Sequence, residues 1–243
     1  MVKRRYHSPR TARPLTAAII GYGKIGRIRH ACISASRSVR LIGVCDTDPA
    51  CRPPARTPFY RRYEDVLARS PDIVLVCTYN RFIPLIACAA IRRGIHVFAE
   101  KPAGRSLSDA RRVHATARRN PSITVKFGFN HRYHEAVQEA RSIVDKGRLG
   151  KVLWMRGIYG KGGGASYDAN WRNDARFSGG GILIDQGIHM VDLFRYFCGE
   201  FTEVKSYMAH AYWPVAVEDN VFALLRNRAG QVAMLHSSAT QWK

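Results

Sequence analysis

The stretch Leu15–Gly26, LTAAIIGYGKIG, constrains this chain more than any other. Leu15 to Ile20 is a short apolar run bounded by glycine, which predicts a buried strand. It runs straight into Gly21-Tyr22-Gly23-Lys24-Ile25-Gly26, a G-x-G-x-x-G sequence, and then into Arg27 to Ser36, which lacks Gly and Pro and can form a helix. The first glycine lets the chain turn, the second lets backbone approach a pyrophosphate, and the third lets helix pack on strand. The helix start adds free N–H groups and a positive dipole end. The loop Gly21–Gly26, with Tyr22, Lys24 and Ile25 inside it, is therefore a candidate phosphate cradle.

Glycine-rich turns are common, so context decides. A second strand-like run, Val39 to Cys45, ends at Asp46. That acid lies about 20 residues beyond the last glycine, where a dinucleotide fingerprint places it. Asp46 would accept hydrogen bonds from ribose hydroxyls and repel a 2′-phosphate. Thr47 rather than an arginine follows it, which favours NAD over NADP.

Further along, strand candidates Ile73–Cys77, Ile95–Ala99 and Ile123–Phe127 alternate with helix candidates Tyr63–Ala68, Ile83–Arg93 and Ser106–Arg119. Continuous apolar strands alternating with helices predict a doubly wound parallel α/β sheet over residues 14–127. Ligands of such sheets sit beyond the carboxyl ends of the strands. Thr78, Asn80, Glu100 and Lys101 join the glycine loop and Asp46 there as candidate cofactor contacts. Lys101 precedes Pro102; it is either a plain loop lysine or, given its place on that edge, a functional one.

Residues 128–243 read differently. A helix over Tyr133–Lys146, strands over Lys151–Tyr159, Glu203–Tyr212, Val221–Arg226 and Gln231–Ser238, and a very apolar helix over Ile182–Phe197 predict an α+β domain with a largely antiparallel open sheet. On the apolar helix, Asp185 and His189 are four residues apart and should share a face, with Asp192 and Tyr196 continuing the stripe. That stripe is either a buried polar network or part of a reactive site. It could also be half a metal site, but no third ligand stands at a familiar spacing, so no metal is expected.

Residues 1–13 are basic, lack acids and predict a disordered leader. The net charge of +21 reflects 39 Lys and Arg against 18 Asp and Glu; most of the basic residues are arginine, with pairs such as Arg61-Arg62 and Arg111-Arg112 of which several fall in helix candidates, and no nucleic-acid-binding module is present. Nucleic acid is therefore not the expected partner, and some of this charge can steer anions into a cleft. No apolar run is long enough to span a membrane, no signal-peptide core is present, and the six cysteines lack C-x-x-C spacing. A cytoplasmic protein with free thiols is expected, without a membrane partner.

These residues together resemble the glucose–fructose oxidoreductase / inositol dehydrogenase (Gfo/Idh/MocA) family. The resemblance rests on Gly21–Gly26, on Cys77-Thr-Tyr-Asn80, on Glu100-Lys101-Pro102, and on Gly179-Gly-Gly followed by Asp185-x-Gly-x-His189-x-x-Asp192. It implies an NAD-dependent dehydrogenase acting on a secondary alcohol of a sugar or cyclitol. Lys101, Asp185 and His189 would be its catalytic group: His189 the base, Asp185 orienting the imidazole, and Lys101 on the alcohol oxygen or itself the base. The loop Lys161–Arg176 would be a lid, with Tyr167, Trp171 and Arg172 joining Lys101, Asp185 and His189 in substrate binding. A nucleotide-linked sugar of surface-polysaccharide synthesis is the preferred substrate, with inositol or a free sugar as the alternative. A non-catalytic NAD(P)-binding regulator of the same fold is the competing class.

One departure from the family pattern is local: Ile83 stands where a histidine is usual, which leaves that loop only the cofactor contact of Asn80. Family members also run on past the equivalent of Lys243. The resemblance thus implies a truncated chain, and a full-length protein that forms homo-oligomers through the completed sheet.

Overall fold

A computed structural model describes residues 13–54 and 56–242; the expected basic leader lies almost wholly outside them. The first half contains strands β1 (Leu15–Ile20), β2 (Val39–Cys45), β3 (Phe59–Tyr60), β4 (Ile73–Val76), β5 (His96–Ala99) and β6 (Val125–Phe127). Between them run helices α1 (Lys24–Ser34), α2 (Tyr63–Ala68), α3 (Ile83–Arg92) and α4 (Leu107–Arg118). The six strands form one all-parallel sheet in the order β3-β2-β1-β4-β5-β6. The order reverses between β1 and β4, and the crevice at that switch point opens beside the glycine loop.

Burial explains why this sheet forms. Ala17, Ala18, Ile19 and Ile20 are buried in succession, so β1 is covered on both faces, as a parallel strand requires. Val74, Val76, Val97 and Ala99 pack with Ile83, Ile86, Ala87 and Ile91 of α3 in the main core. Ser106 accepts a hydrogen bond from the Asp109 amide and caps α4.

The second half holds α5 (Glu135–Asp145), β7 (Trp154–Gly160), the short α6 (Ala175–Ser178), α7 (Ile188–Cys198), β8 (Phe201–Ala209), β9 (Asn220–Asn227) and β10 (Val232–Ser238). Its four strands run in the order β7-β10-β9-β8. Pairs β8–β9 and β9–β10 are antiparallel, whereas β10 lies parallel to β7, so the sheet is mixed and mostly antiparallel. Phe194 of α7 packs on Leu225, Ala233 and Leu235 and closes one face. The other face leaves Trp154, Ile158, Tyr207, Phe222 and Leu224 exposed. No helix among the described residues is long and apolar enough to cross a membrane.

One expected element is broken. The apolar helix is not continuous from Ile182: Leu183–Gly187 forms a wider π-helical turn, and regular α-helix begins at Ile188. Two anchors hold that turn. Glu218 accepts hydrogen bonds from the amides of Gly181 and Leu183. A Cβ on Gly187 would lie 3.0 Å from both Leu183 and Ser237, so this turn presses against β10.

Candidate active site

The glycine loop has the shape its sequence demands. Gly21 has φ of +93°, and a Cβ there would lie 2.6 Å from the Cys77 carbonyl at the end of β4. A Cβ on Gly26 would lie 2.1 Å from the Gly21 oxygen, so α1 packs on its own loop with no space for a side chain. Gly23 differs: a Cβ there would meet nothing within 4 Å. Its open side lies at the start of α1, where no side chain caps the helix and no acid occupies the first turn. Lys24 is exposed beside it, and Ile25 is half-buried. Asp46 is tied to the same loop, accepting from the Tyr22 amide (2.6 Å) and the Asp48 amide (2.9 Å). The open Gly23 cradle, the uncapped helix start and this carboxylate fit a dinucleotide, whose phosphates would take the free N–H groups and whose ribose would meet Asp46.

Other expected cofactor contacts have partners of their own. Thr78 donates its hydroxyl to the Tyr79 carbonyl at 3.3 Å. The Glu100 carboxylate accepts from Arg29 Nε at 2.8 Å and so fastens α1 to the end of β5. Asn80 is buried, and its amide donates to the Ser178 carbonyl of the second half at 2.8 Å. That bond ties the two halves together.

Lys101 follows β5, joined to Pro102 by a cis peptide bond, and reaches across to the second half. Its Nζ donates to the Asp185 carbonyl and lies 3.5 Å from the Asp185 carboxylate. Two further cations hold the same carboxylate: Arg172 Nε at 3.0 Å and Lys161 Nζ at 3.3 Å. The Gln186 side-chain amide donates to it at 3.0 Å. Burial alone would raise the Asp185 pKa, but Lys101, Arg172 and Lys161 outweigh it and hold the group below its ordinary value. Lys101 is itself shifted down, chiefly by burial and then by Arg172, against the pull of Asp185.

His189 lies on the next turn, buried, with its Nδ1 enclosed and without a hydrogen-bond partner. The expected Asp185–imidazole bond is not formed. The expectation assumed one continuous helix; the π-helical turn at Leu183–Gly187 breaks the stripe, and Asp185 is taken up by the three cations and Gln186. His189 is instead surrounded by rings. His131 lies 4.1 Å away between centroids, Tyr159 stacks at 6.1 Å and Phe129 stands edge-on at 6.2 Å. Burial, then the Lys101 charge and His131, push His189 down to about 3. The His131 pKa is lowered too, by burial and by His134 and Lys101.

The remaining expected residues separate into those that converge and those that do not. Arg172 converges on Asp185, and its guanidinium also lies over Trp171 at 4.6 Å. Trp171 packs on Tyr79 of the first half at 4.7 Å and so closes the seam. Tyr167 packs on Trp213 at 4.6 Å, and burial pushes its phenol up to about 12. Arg176 turns outward to Asp174. Asp192 is buried and held by Arg132 through two contacts of 2.6 Å, with Tyr196 beneath the guanidinium. Sequence reasoning missed His131, Phe129 and Tyr159. The first two directly follow the end of β6, and the strand-end rule applied to the other strands would have found them. Tyr159 carried no local signal. Among the described residues, no group of three or more His, Cys, Asp or Glu side chains could hold a metal ion.

Both halves of the chain are similar to known proteins. Residues 15–129 match the family model described as "Oxidoreductase family, NAD-binding Rossmann fold". Residues 137–243 match the "GFO/IDH/MocA C-terminal domain". The chain is similar to D-glucoside 3-dehydrogenase of Escherichia coli, at 30% identity over 95% of this chain and 72% of the relative. Among solved structures, myo-inositol 2-dehydrogenase of Lactobacillus plantarum superposes with a TM-score of 0.85 at 27% identity, over 93% of this chain and 70% of its own. The WlbA dehydrogenase of Bordetella pertussis, in complex with NADH and UDP-GlcNAcA, superposes with a TM-score of 0.87 at 22% identity, over 95% of this chain and 72% of its own. The last is a likeness of fold alone.

Proposed function

The chain belongs to the GFO/IDH/MocA family of NAD-binding oxidoreductases, and we propose that it oxidises a secondary alcohol of a sugar or cyclitol. One observation carries this reading. Lys101, on the cofactor edge of the parallel sheet, meets Asp185 one turn from His189 across the seam between the halves. Bound NAD supplies the hydride acceptor.

The residues of the chain supply the rest. The Lys101 ammonium donates to the hydroxyl oxygen of the substrate and stabilises negative charge as it develops there. Asp185 holds that ammonium in place. His189 is neutral at pH 7 and able to accept the hydroxyl proton, but burial and the Lys101 charge, which hold it down to about 3, make it a weak base there. A second assignment has support in the same place: burial lowers the Lys101 pKa, as needed for a lysine that itself takes the proton.

Within this class we place a nucleotide-linked sugar first, because the lid carries cations at Lys161 and Arg172 beside an aromatic at Trp171. The relatives named for neutral glucosides and inositols make a free sugar or cyclitol the alternative. The exposed apolar sheet face around Tyr207, Phe222 and Leu224 suits a second copy of the chain.

The test is turnover by the full chain with NAD and a panel of glucosides, inositols and nucleotide-linked sugars, followed by NADH absorbance. Oxidation of a member of that panel, abolished in His189→Ala or Lys101→Ala, is the expected result. Tight NADH binding with no turnover across the panel would instead support the non-catalytic sensor.

A further inference from the structure

We propose that the substrate carries an anionic group on the same sugar ring as the hydroxyl that is oxidised, and that Arg172 and Lys161 bind it. This rests on the oxidoreductase reading above and narrows its substrate class.

Charge is the first observation. Lys101, Lys161 and Arg172 all converge on the single carboxylate of Asp185. No other acid forms an ion pair with these cations among the described residues. Glu100 is matched by Arg29, and Asp192 by Arg132. Glu218 and Asp219 keep their negative charge, but they are turned to backbone amides, Gly181 and Leu183 for the first, Ala211, Tyr212 and Trp213 for the second, and form no ion pair among the described residues. His189 is uncharged at pH 7. Three cations thus share one carboxylate, and two of them lack an ion-pair partner of their own in a partly buried cleft, where opposite charge is attracted far more strongly than in bulk water.

Accessibility is the second. Lys101 and Asp185 have side chains only 16% and 11% exposed, whereas Lys161 and Arg172 are each 38% exposed. Arg172 meets Asp185 through Nε alone, and its terminal nitrogens make no hydrogen bond among the described residues. That outer edge is the part of a guanidinium that takes a phosphate or carboxylate in a two-point contact.

Distance is the third and sets the position of the anion. Lys101 Nζ and Arg172 Nε lie 3.5 and 3.0 Å from the same oxygen, Asp185 Oδ1. The hydroxyl-binding ammonium and the anion-binding guanidinium are therefore no more than a pyranose ring apart. An anion on a remote substituent would overshoot Arg172. A carboxylate, a phosphate ester or a glycosyl diphosphate attached directly to the oxidised ring fits.

Calorimetric titration of the full chain saturated with NADH tests this without turnover. The probes are glucose, glucuronate, glucose 6-phosphate and a nucleoside-diphosphate glucose. At least one anionic probe should bind about tenfold or more tightly than glucose, with a margin that shrinks as salt is raised. Which of the three binds best identifies the source of the anion. Arg172→Gln together with Lys161→Gln should remove the margin, and Arg172→Lys should restore part of it. Equal binding of glucose and all three anionic probes overturns the proposal, and so does a margin that survives the double substitution. Failure of the oxidoreductase reading is separate: it shows as absent hydride transfer to NAD in the turnover assay, whatever the binding order.

Discussion

The Lys101 ammonium stands 3.5 Å from the Asp185 carboxylate, although the two residues come from different halves of the chain and from opposite sides of the seam. The contact joins the end of β5 to the π-helical turn that precedes α7. Each half therefore contributes one member of the charged centre, and neither half has the site alone.

A first prediction concerns proton transfer. His189→Ala should lower the rate of hydride transfer by roughly two to four orders of magnitude, typical for loss of a positioned base. Lys101→Ala should also lower it, and the double substitution should cost far less than the two losses combined, because both groups act on one C–O–H unit. Single-turnover kinetics reads all three. Normal hydride transfer in His189→Ala with loss in Lys101→Ala would assign the base to lysine.

Stability should depend on pH through His189. Its pKa falls from an ordinary 6.5 in the unfolded chain to about 3 in the folded one, so between those values the unfolded state binds more protons. The burial of neutral His189 is thus free of a pH penalty above about pH 6.5, and stability is lost as pH falls toward 3, by about 1.4 kcal/mol per pH unit from this group. Denaturant melts at pH 4, 5 and 7 should show a shallower acid loss in His189→Asn. An identical acid slope in the variant would remove His189 as its source.

The alkaline side reports on Lys101. Its pKa lies below the ordinary 10.5, so the ammonium donor is lost earlier than for a surface lysine as pH rises. If it acts as donor, kcat/KM should fall on an alkaline limb that starts below that value and disappears in Lys101→Arg. If Lys101 is the base, kcat/KM should instead rise through the same range.

Two glycines of one motif should behave differently. Gly26→Ala puts a methyl 2.1 Å from the Gly21 oxygen and should lower the melting temperature. Gly23→Ala meets no protein atom within 4 Å and lies in a conformation any residue adopts, with φ of −69°. It should melt almost normally yet bind NADH weakly, because the methyl occupies the side from which a pyrophosphate approaches. Unchanged NADH affinity in Gly23→Ala would place the phosphates elsewhere.

Arg132→Ala should destabilise the fold by about 2 kcal/mol, since it strands a buried Asp192 carboxylate. Asp192→Asn in the same background should recover part of that loss. Additive losses in the two variants would mean that the pair is not coupled.

Much of this molecule was legible before folding. The six-residue glycine motif, the strand expected over Ile73–Cys77 and the helix expected over Ser106–Arg119 depend on neighbours a few positions away, and local rules read such neighbours directly. Lys101, Asp185 and His189 were singled out because a strand end, a proline and a polar stripe on an apolar helix are also local patterns. The family resemblance then assigned them jointly.

What the chain order could not reveal is what those residues touch. Asp185 was expected to face His189 four positions on, but a turn widened by the Glu218 anchors and by Gly187 packing on β10 gives it to Lys101, Arg172 and Lys161. Asn80 is read from its place after β4, but its bond to Ser178, nearly a hundred residues later, is not. His131 and Tyr159 surround His189 from two other elements. The parallel pairing of β7 with β10 is likewise a matter of packing. The sequence by itself determined the two sheets and the identity of the polar groups, because propensity, periodicity and capping act along the chain. The partners of those groups, and with them their charge states, were decided only when the halves met, because burial and Coulomb attraction act through space.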